Sequence, residues 1–234
     1  MNNSSRIKYR DLQETDYDEL RELHELLFPV KYSESFFRNV VRGIGPNMKP
    51  TMARVAVDTD SSLMAGFVIA QAVDIADCED EGLFDTSPSE VIYVLTLGTR
   101  PEYTRRGIAT QLIAHLRGEA ATRCGCGAVY LHVIHYNRAA MRFYEHNGFE
   151  CLRALPQFYK IGDSLHTAYL YISYLDGYDA PLYFQLYRQL RYTNAAHRTV
   201  VSYTCRKAVA LVLECAGRVL HRRNAGAYRK DLAS

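Results

Sequence analysis

The segment best suited to chemistry lies at residues 91–110, where an apolar run gives way to a helical pattern. The helix opens on Arg105-Arg106-Gly107, and Ala109 follows two residues later. At the start of a helix the backbone N–H groups have no partner within the helix and form the positive end of its dipole. Gly107 and Ala109 are small enough for a phosphate to approach that backbone, and the two arginines add full charges. The pattern predicts a cradle for a pyrophosphate group.

An Arg-Arg-Gly turn also opens many ordinary surface helices, so the turn alone is not specific for phosphate. The motifs of other phosphate-binding proteins are therefore compared with the sequence. The chain contains neither G-x-x-x-x-G-K-[ST] nor a G-x-G-x-x-G that follows a strand. These sequences mark nucleotide-hydrolysing and dinucleotide-binding enzymes. Both classes are therefore disfavoured.

Two polar side chains stand inside apolar runs that predict strands: Tyr93 in residues 91–99 and His132 in residues 128–134. Taken singly, each has a structural interpretation. A tyrosine in an apolar strand usually serves packing, and a histidine between apolar neighbours is usually a hydrogen-bonded structural residue. A chemical role for either one depends on the elements that position it.

Hydrophobic periodicity divides the chain into strands and helices. The expected strands start with a short one at Ile7, Tyr9 and Leu12 and continue at 52–57, 63–73, 91–99, 128–134, 149–161 and 166–175. The first expected helix runs from its N-cap Thr15 to Leu27, where Phe28-Pro29 ends the pattern. Three further helices are expected at 33–41, 106–121 and 138–146. The acidic stretch 74–89 is expected to form a loop. The almost wholly apolar run 91–99 is expected at the centre of the sheet.

Composition limits the class and the compartment. The 234 residues are 48% apolar and 23% charged, and no uninterrupted apolar run is long enough to span a membrane. Residues 1–6 lack the apolar core of a signal peptide, which predicts a cytosolic or nuclear protein. The scattered cysteines are expected to be reduced, buried thiols without a metal; they are Cys78, Cys124, Cys126, Cys151, Cys205 and Cys215.

The turn and the segments after it resemble motifs A and B of the GNAT acetyltransferases. Residues 104–109, Thr-Arg-Arg-Gly-Ile-Ala, correspond to their cradle pattern [QR]-x-x-G-x-[GA], with Thr104 at the position that is usually Gln or Arg. The second motif is matched by Tyr130-Leu131-His132-Val133, Asn137, Ala140, Phe143-Tyr144-Glu145 and Gly148-Phe149. The resemblance implies an α/β GNAT fold, with a mixed twisted sheet flanked by helices, and acetyl-CoA as co-substrate.

Further segments resemble the NatE and NatF N-terminal acetyltransferases. They are Phe28-Pro29-Val30-Lys31-Tyr32, Ile92-Tyr93-x-Leu95-Thr96-Leu97-Gly98, Tyr130-Leu131-His132-Val133 and Leu155-Pro156-Gln157-Phe158-Tyr159. The acidic insertion before Tyr93 and the basic tail match NatF better than NatE. The resemblance covers residues 6–178, which predicts a GNAT domain at 1–178 and a separate tail at 179–234.

The resemblance implies that Tyr93 and His132 are the general bases, acting through ordered water. An α-ammonium group has a pKa of about 8, so a base near neutrality frees its lone pair for direct attack on the thioester. No covalent enzyme intermediate is needed. The Tyr144 hydroxyl is implied as the proton donor to the leaving thiolate.

The same resemblance implies the binding residues. Contacts to acetyl-CoA fall on Leu95, Thr96, Leu97, Arg105, Arg106, Gly107, Ile108, Ala109, Thr110, Asn137 and Tyr144. Contacts to the substrate peptide fall on Phe28, Pro29, Val30, Tyr32, Leu95 and Tyr159. The implied substrates are protein N-termini that keep their methionine before an apolar residue or Lys. Lys31 stands where NatF enzymes tend to carry an acidic side chain, which argues against a preference for Lys.

The tail differs in charge from the rest of the chain. Residues 181–234 hold ten Lys or Arg against two acids, a net charge of +8, and this leaves −6 for residues 1–180. Apolar stripes at helical spacing predict two basic amphipathic helices; they are Leu182, Tyr183, Leu186, Tyr187 and Leu190, and then Val201, Cys205, Ala208, Val209, Val212, Cys215, Ala216, Val219 and Leu220. Such helices favour a membrane interface. The NatF resemblance implies the cytosolic face of an intracellular membrane, the Golgi, with the plasma membrane as the other possibility.

Several alternatives remain at this point. The tail helices also suit docking on the acidic domain, a weak dimer of an otherwise monomeric chain or, least of all, nucleic acid. The fold is equally suited to acetylating lysines, including those of histones, or small amines. A third possibility is a non-catalytic module that binds acetyl-CoA or a partner.

Overall fold

The computed structural model describes residues 6–80, 82–84 and 88–186, so the predicted tail helices beyond residue 186 lie outside the described residues. The strands are β1 (Ile7–Asp11), β2 (Thr51–Asp58), β3 (Met64–Asp74), β4 (Glu90–Thr99), β5 (Cys126–Ile134), β6 (Glu150–Ile161) and β7 (Ser164–Tyr174). The helices are α1 (Tyr17–Leu27), α2 (Glu34–Val40), α3 (Ile108–Ala121) and α4 (Arg138–His146), and residues 182–186 are also helical. The order of elements agrees with the periodicity of the sequence.

One seven-stranded sheet, in the order β1-β2-β3-β4-β5-β7-β6, forms the centre of the structure. Every neighbouring pair is antiparallel except β4 and β5, which are parallel and are joined by α3. The apolar run 91–99 becomes β4, the middle strand, as predicted. Its two faces contribute to different cores: Val94 packs with α3 and α4, whereas Leu95 packs with α1 and α2. The mixed sheet flanked by helices is the fold that the resemblance implies.

The first helix begins two residues after Thr15, which is not its cap. A 3₁₀ turn at Glu14–Asp16 precedes it. The buried Asp16 carboxylate accepts the backbone N–H of Gln13 at 2.8 Å and pairs with the Arg10 guanidinium through two contacts of 2.7 Å. Asp16 therefore organises the turn, because it combines a local backbone contact with a partner on β1.

The acidic stretch 74–89 is more structured than a loop prediction implies. Asp74 completes β3, and a 3₁₀ turn follows at Ile75–Asp77. Lys49 reaches across to Asp74 and Asp77 at 3.2 and 2.8 Å. The next residues turn inward, and Asp80 retains only 7% of its exposed surface. The segment therefore brings a carboxylate into the interior.

The cysteines are less uniformly buried than the sequence predicts. Cys126 is buried and Cys78 half-buried, whereas Cys124 and Cys151 are exposed, because one lies in the turn after α3 and the other on the edge strand β6. Cys205 and Cys215 lie outside the described residues.

The residues that follow β7 still pack against the core. Ala180 and Phe184 are buried against β5 and β7, while Leu182 and Leu186 of the predicted stripe are 60% and 50% exposed. Among the helices that the structure describes, none is long and apolar enough to cross a membrane. The first turn of the tail thus packs with the domain through Phe184 and presents its leucines outward.

Candidate active site

The cleft begins where the two parallel strands part. β4 and β5 are paired at Glu90↔Cys126, Ile92↔Val129 and Tyr93↔Tyr130, and no later pair joins them in the described residues, although β4 continues to Thr99 and β5 to Ile134. The edge of β4 that faces β5 is therefore left to hydrogen-bond something other than a strand. An extended ligand with amide groups, such as the pantetheine arm of CoA, meets that requirement.

A β-bulge lies at this point of β4. Ile69 pairs with Thr96 and the next residue, Ala70, pairs with Val94, so Leu95 is the extra residue. Leu95 and Leu97, two of the residues implied to bind acetyl-CoA, are half-buried here. Thr96, the third, is 3% exposed and its side chain lies in the core, which leaves only its backbone for a ligand.

The predicted cradle lies at the end of β4, and its backbone departs from a helix. A 3₁₀ turn at Pro101–Tyr103 leads to Arg105 and Gly107, which have φ values of 60° and 78°. The left-handed Gly107 is the N-cap, so α3 begins at Ile108 and not at Arg106 as predicted. Only glycine takes this conformation without strain.

The space above the cradle is open. A Cβ added to Gly107 would meet no atom within 4 Å. The side chains of Arg105, Arg106 and Thr110 are exposed around it, whereas Ile108 is buried and offers only its backbone. An open notch at the N-terminus of a helix, with two guanidinium groups beside it, fits the diphosphate of acetyl-CoA.

Tyr93 and His132 meet in the cleft. The Tyr93 Oη lies 3.0 Å from the His132 Nδ1, and the two ring centroids are 5.4 Å apart. The other ring nitrogen of His132, Nε2, lies 3.1 Å from Oδ2 of Asp80. The second carboxylate oxygen of Asp80 accepts from the Arg153 guanidinium at 3.1 Å. The structure thus joins phenol, imidazole, carboxylate and guanidinium in one series, of which sequence reasoning named the first two.

Asp80 is charged in this arrangement. Burial alone would raise the pKa of Asp80, but the adjacent imidazole and the Arg153 guanidinium outweigh it and hold the pKa below its ordinary value. A carboxylate opposite Nε2 favours the tautomer with hydrogen on Nε2. The Nδ1 atom is then the acceptor for the Tyr93 hydroxyl.

The β6–β7 hairpin covers His132 from one side. The pairing of β6 with β7 shifts between Leu155 and Tyr159, and Gln157 within that stretch has a φ of 58°. The bulge brings the Phe158 ring to 4.3 Å from the His132 ring, while the Tyr159 hydroxyl donates to the His132 carbonyl at 3.2 Å. Phe158 is a contact of the imidazole that the sequence prediction quoted in a motif without assigning it a role.

The segment implied to hold the peptide packs under the bulged part of β4. Phe28, Tyr32 and Leu95 belong to one apolar cluster, while Pro29 is exposed and Val30 half-buried. Burial raises the pKa of Tyr32 to about 12, so its hydroxyl keeps its proton. The segment implied to hold the peptide and the cleft therefore lie side by side.

His24 supports that segment. Its ring is stacked on Phe67 at 4.6 Å and lies 5.0 and 5.2 Å from the rings of Phe28 and Tyr32. Burial lowers the pKa of His24 to about 4, so the imidazole is neutral at physiological pH. It has a structural place in the aromatic cluster.

The two remaining residues implied to bind acetyl-CoA lie at the start of α4 and within it. Asn137 is its N-cap, and the Asn137 Oδ1 accepts the backbone N–H of Ala140 at 3.0 Å. Tyr144 is buried beside Phe149, and this burial raises its pKa strongly. A phenol with a raised pKa is a weak acid, so it suits a hydrogen bond to a thiolate better than the proton transfer that the resemblance implies. Within the described residues, no cluster of three or more His, Cys, Asp or Glu is placed to hold a metal ion.

Comparison with known proteins agrees with this geometry. A family model described as the acetyltransferase (GNAT) family matches residues 17–149. Over 179 residues the chain is 37% identical to histone acetyltransferase MCC1 of Arabidopsis thaliana, covering 75% of this chain and 72% of that protein. Over 179 residues it is 31% identical to N-alpha-acetyltransferase 60 of Xenopus tropicalis, covering 74% and 71%.

A solved structure adds the bound co-substrate. Arabidopsis thaliana NAA60 in complex with acetyl-CoA matches with a TM-score of 0.65 and 32% identity, covering 74% of this chain and 100% of that one. The family match spans more than half of the chain, and the relatives align over most of it. The chain therefore belongs to the GNAT family of acetyl-CoA-dependent acetyltransferases and is of the NatF type.

Proposed function

We propose that the protein transfers acetyl from acetyl-CoA to the α-amino group of proteins that retain their initiator methionine before an apolar residue. The observation that carries the proposal is the contact between Tyr93 and His132 at the point where β4 and β5 separate. This point lies between the cradle that fits the diphosphate and the aromatic segment that fits the peptide. An amine, a thioester and a base are thereby brought to one cleft.

The reaction begins with loss of a proton from the substrate ammonium. Because Nδ1 of His132 accepts the Tyr93 hydroxyl, the phenol oxygen turns its lone pairs to the cleft, where the amine or an intervening water donates to it. The proton passes from the phenol to Nδ1, and Asp80 on the opposite side stabilises the imidazolium. Bound acetyl-CoA supplies the thioester carbonyl that the free amine attacks. The tetrahedral adduct loses its second nitrogen proton as the C–S bond breaks. Tyr144 donates a hydrogen bond to the departing thiolate, which takes its proton from solvent.

The peptide-binding segment favours an apolar first residue. Phe28 and Val30 line the pocket for methionine, and Tyr32 and Tyr159 bind the peptide backbone. Lys31 is exposed between them and adds a positive charge. Because like charges repel at such a surface, the pocket disfavours Lys as the second residue.

One relative supports a second candidate function. The Arabidopsis relative is named a histone acetyltransferase, and the same cleft suits the ε-amino group of lysine once it has lost its proton. A free lysine has a pKa of about 10.4, whereas an α-amino group has a pKa of about 8. The fraction of unprotonated amine at neutral pH therefore favours the N-terminus by more than a hundredfold.

Peptide competition separates the two functions. With peptides that begin Met-Leu and Met-Lys and with a histone-tail peptide blocked at its N-terminus, we expect kcat/KM to be highest for Met-Leu. The internal lysines should react at least about tenfold more slowly, for the protonation reason given above. Faster acetylation of the blocked histone peptide would replace this substrate assignment, and acetylation of none of the peptides would favour a non-catalytic module.

We also propose that residues 179–234 attach the protein to the cytosolic face of an intracellular membrane, the Golgi or the plasma membrane. The net positive charge of this region and the exposed Leu182 and Leu186 support the proposal. We expect the full chain to float with vesicles that contain anionic lipid, and a chain ending at residue 186, which keeps Phe184 in the core, to remain in the soluble fraction. Full chain that stays soluble with these vesicles would contradict membrane attachment.

A further inference from the structure

A hydrogen bond outside the cleft joins the residue that precedes the cradle to the last residue of β2. The Tyr103 hydroxyl donates to Oδ2 of Asp58 at 2.5 Å, and both side chains are buried, at 7% and 4% exposure. The Asp58 carboxylate also accepts the backbone N–H of Asp60 at 3.0 Å, and the Ser61 hydroxyl lies 3.2 Å from the phenol. The hydrogen bond from Tyr103 is the main reason that the pKa of Asp58 is lowered. Tyr103 is thus hydrogen-bonded to a charged acceptor at the end of β2.

Tyr103 stands immediately before the cradle. The 3₁₀ turn ends at Tyr103, and the four residues 104–107 then lead into α3. At the far end of this stretch Ile108 is buried in the core. The two ends of the stretch are therefore anchored, and the open notch lies between them.

The backbone between those anchors is strained and needs them. Arg105 has a Cβ and yet takes a φ of 60°, a conformation that persists only where the surroundings impose it. The Tyr103 ring also supports the cradle directly, because the Arg106 guanidinium carbon lies 4.9 Å from its centroid. One residue thus sets both the course of the backbone and the position of one cationic side chain.

We propose that Tyr103 is a positioning residue for acetyl-CoA. The hydrogen bond to Asp58 fixes the Tyr103 side chain, and Tyr103 in turn orients the Arg106 side chain and the backbone of residues 104–107 for the diphosphate. The inference rests on the assignment of this stretch to the diphosphate. A preorganised site loses less freedom on binding, so the benefit appears in affinity for CoA and not in the chemical step.

The test is the affinity of the full chain for CoA, measured by isothermal titration calorimetry, together with steady-state kinetics. For Tyr103→Phe, which keeps the ring under Arg106 and removes the hydrogen bond, we expect Kd for CoA and KM for acetyl-CoA to rise about tenfold, the scale of one lost hydrogen bond to a charged group. The kcat value should stay within twofold. In the double variant Tyr103→Phe/Arg106→Gln, the fold-increase in Kd for CoA should be smaller than the product of the two single fold-increases, because Tyr103 acts in part through Arg106.

Two further variants distinguish the possible failures. Tyr17→Phe is the matched control, because it removes a phenol–carboxylate hydrogen bond, to Glu34, on the other side of the sheet; its Kd for CoA should not change. Gly107→Val tests the assignment on which the inference rests, and it should abolish most CoA binding. If Gly107→Val weakens binding but Tyr103→Phe leaves Kd within twofold, the positioning role is wrong. If neither variant changes Kd, the cradle itself is wrong.

Discussion

Replacing Tyr93 by phenylalanine and His132 by alanine together is expected to lower kcat by a hundredfold or more, the usual scale for removal of a general base. The phenol and the imidazole lie 3.0 Å apart, and in the proposed mechanism they are the proton acceptor. Without them, only solvent can take the proton from the substrate ammonium. Single-turnover rates with acetyl-CoA and a Met-Leu peptide measure the loss directly.

Packing around His132 calls for a second variant. The side chain is fully buried, and the Phe158 ring lies 4.3 Å from it, so alanine leaves a cavity. His132→Gln fills more of that space and cannot act as a base, and it should lose activity to a similar extent. Affinity for CoA should remain within twofold in both variants, because the cradle lies at the other end of β4. If either variant retained more than a tenth of kcat while folded, the chemistry would not depend on this pair.

The sequence predicts the meeting of Tyr93 and His132 only in part. Alternation places every second residue of a strand on one face, so Tyr130 and His132 share a face of β5. What the pattern does not contain is the register, which pairs Tyr93 with Tyr130 and so puts the phenol and the imidazole on the same side. That register depends on how α3, which connects the two strands, packs on the face of the sheet, a tertiary property. The resemblance to a known family supplied it.

The backbone of the cleft was harder to predict than the elements around it. The bounds of α4 and the central place of β4 follow from the hydrophobic pattern, because a strongly periodic or wholly apolar segment is compatible with few secondary structures. The bulge at Leu95 and the left-handed Gly107 have no periodic signal. Local geometry of this kind is set by what each residue meets across the sheet, which a single sequence does not record.

Asp80 had no distinguishing signal in the sequence. It follows Asp77 and Glu79 in an acidic stretch, where solvated charge is the ordinary expectation. Asp77 does lie at the surface, beside Lys49, whereas Asp80 three residues later is buried opposite His132. Only the fold of the stretch separates the two, because burial of a carboxylate requires partners that come from β5 and β6.

Asp80→Asn is expected to lower kcat at least about tenfold, although Asp80 does not itself reach the cleft. The carboxylate lies 3.1 Å from Nε2 of His132, which favours hydrogen on Nε2 and leaves Nδ1 as the acceptor for Tyr93. An asparagine can turn its NH₂ group toward Nε2, which favours the tautomer with hydrogen on Nδ1 and removes the acceptor for the phenol. The imidazolium that forms in the reaction also loses its counter-charge. KM for acetyl-CoA should be unchanged, because the cradle is untouched.

The matched control for this variant lies in the same stretch. Asp77→Asn makes the same chemical change on an exposed carboxylate that pairs with Lys49, and kcat should stay within twofold. Thermal unfolding of both variants identifies any loss of folded protein. Asp80→Asn risks such a loss, because it leaves the largely buried Arg153 guanidinium without its counter-charge. The decisive quantity is kcat per folded molecule. If kcat per folded molecule were equal for Asp80→Asn and Asp77→Asn, the Asp80 carboxylate would serve only to fix the acidic stretch. The Tyr93 phenol and the His132 imidazole would then act without its charge.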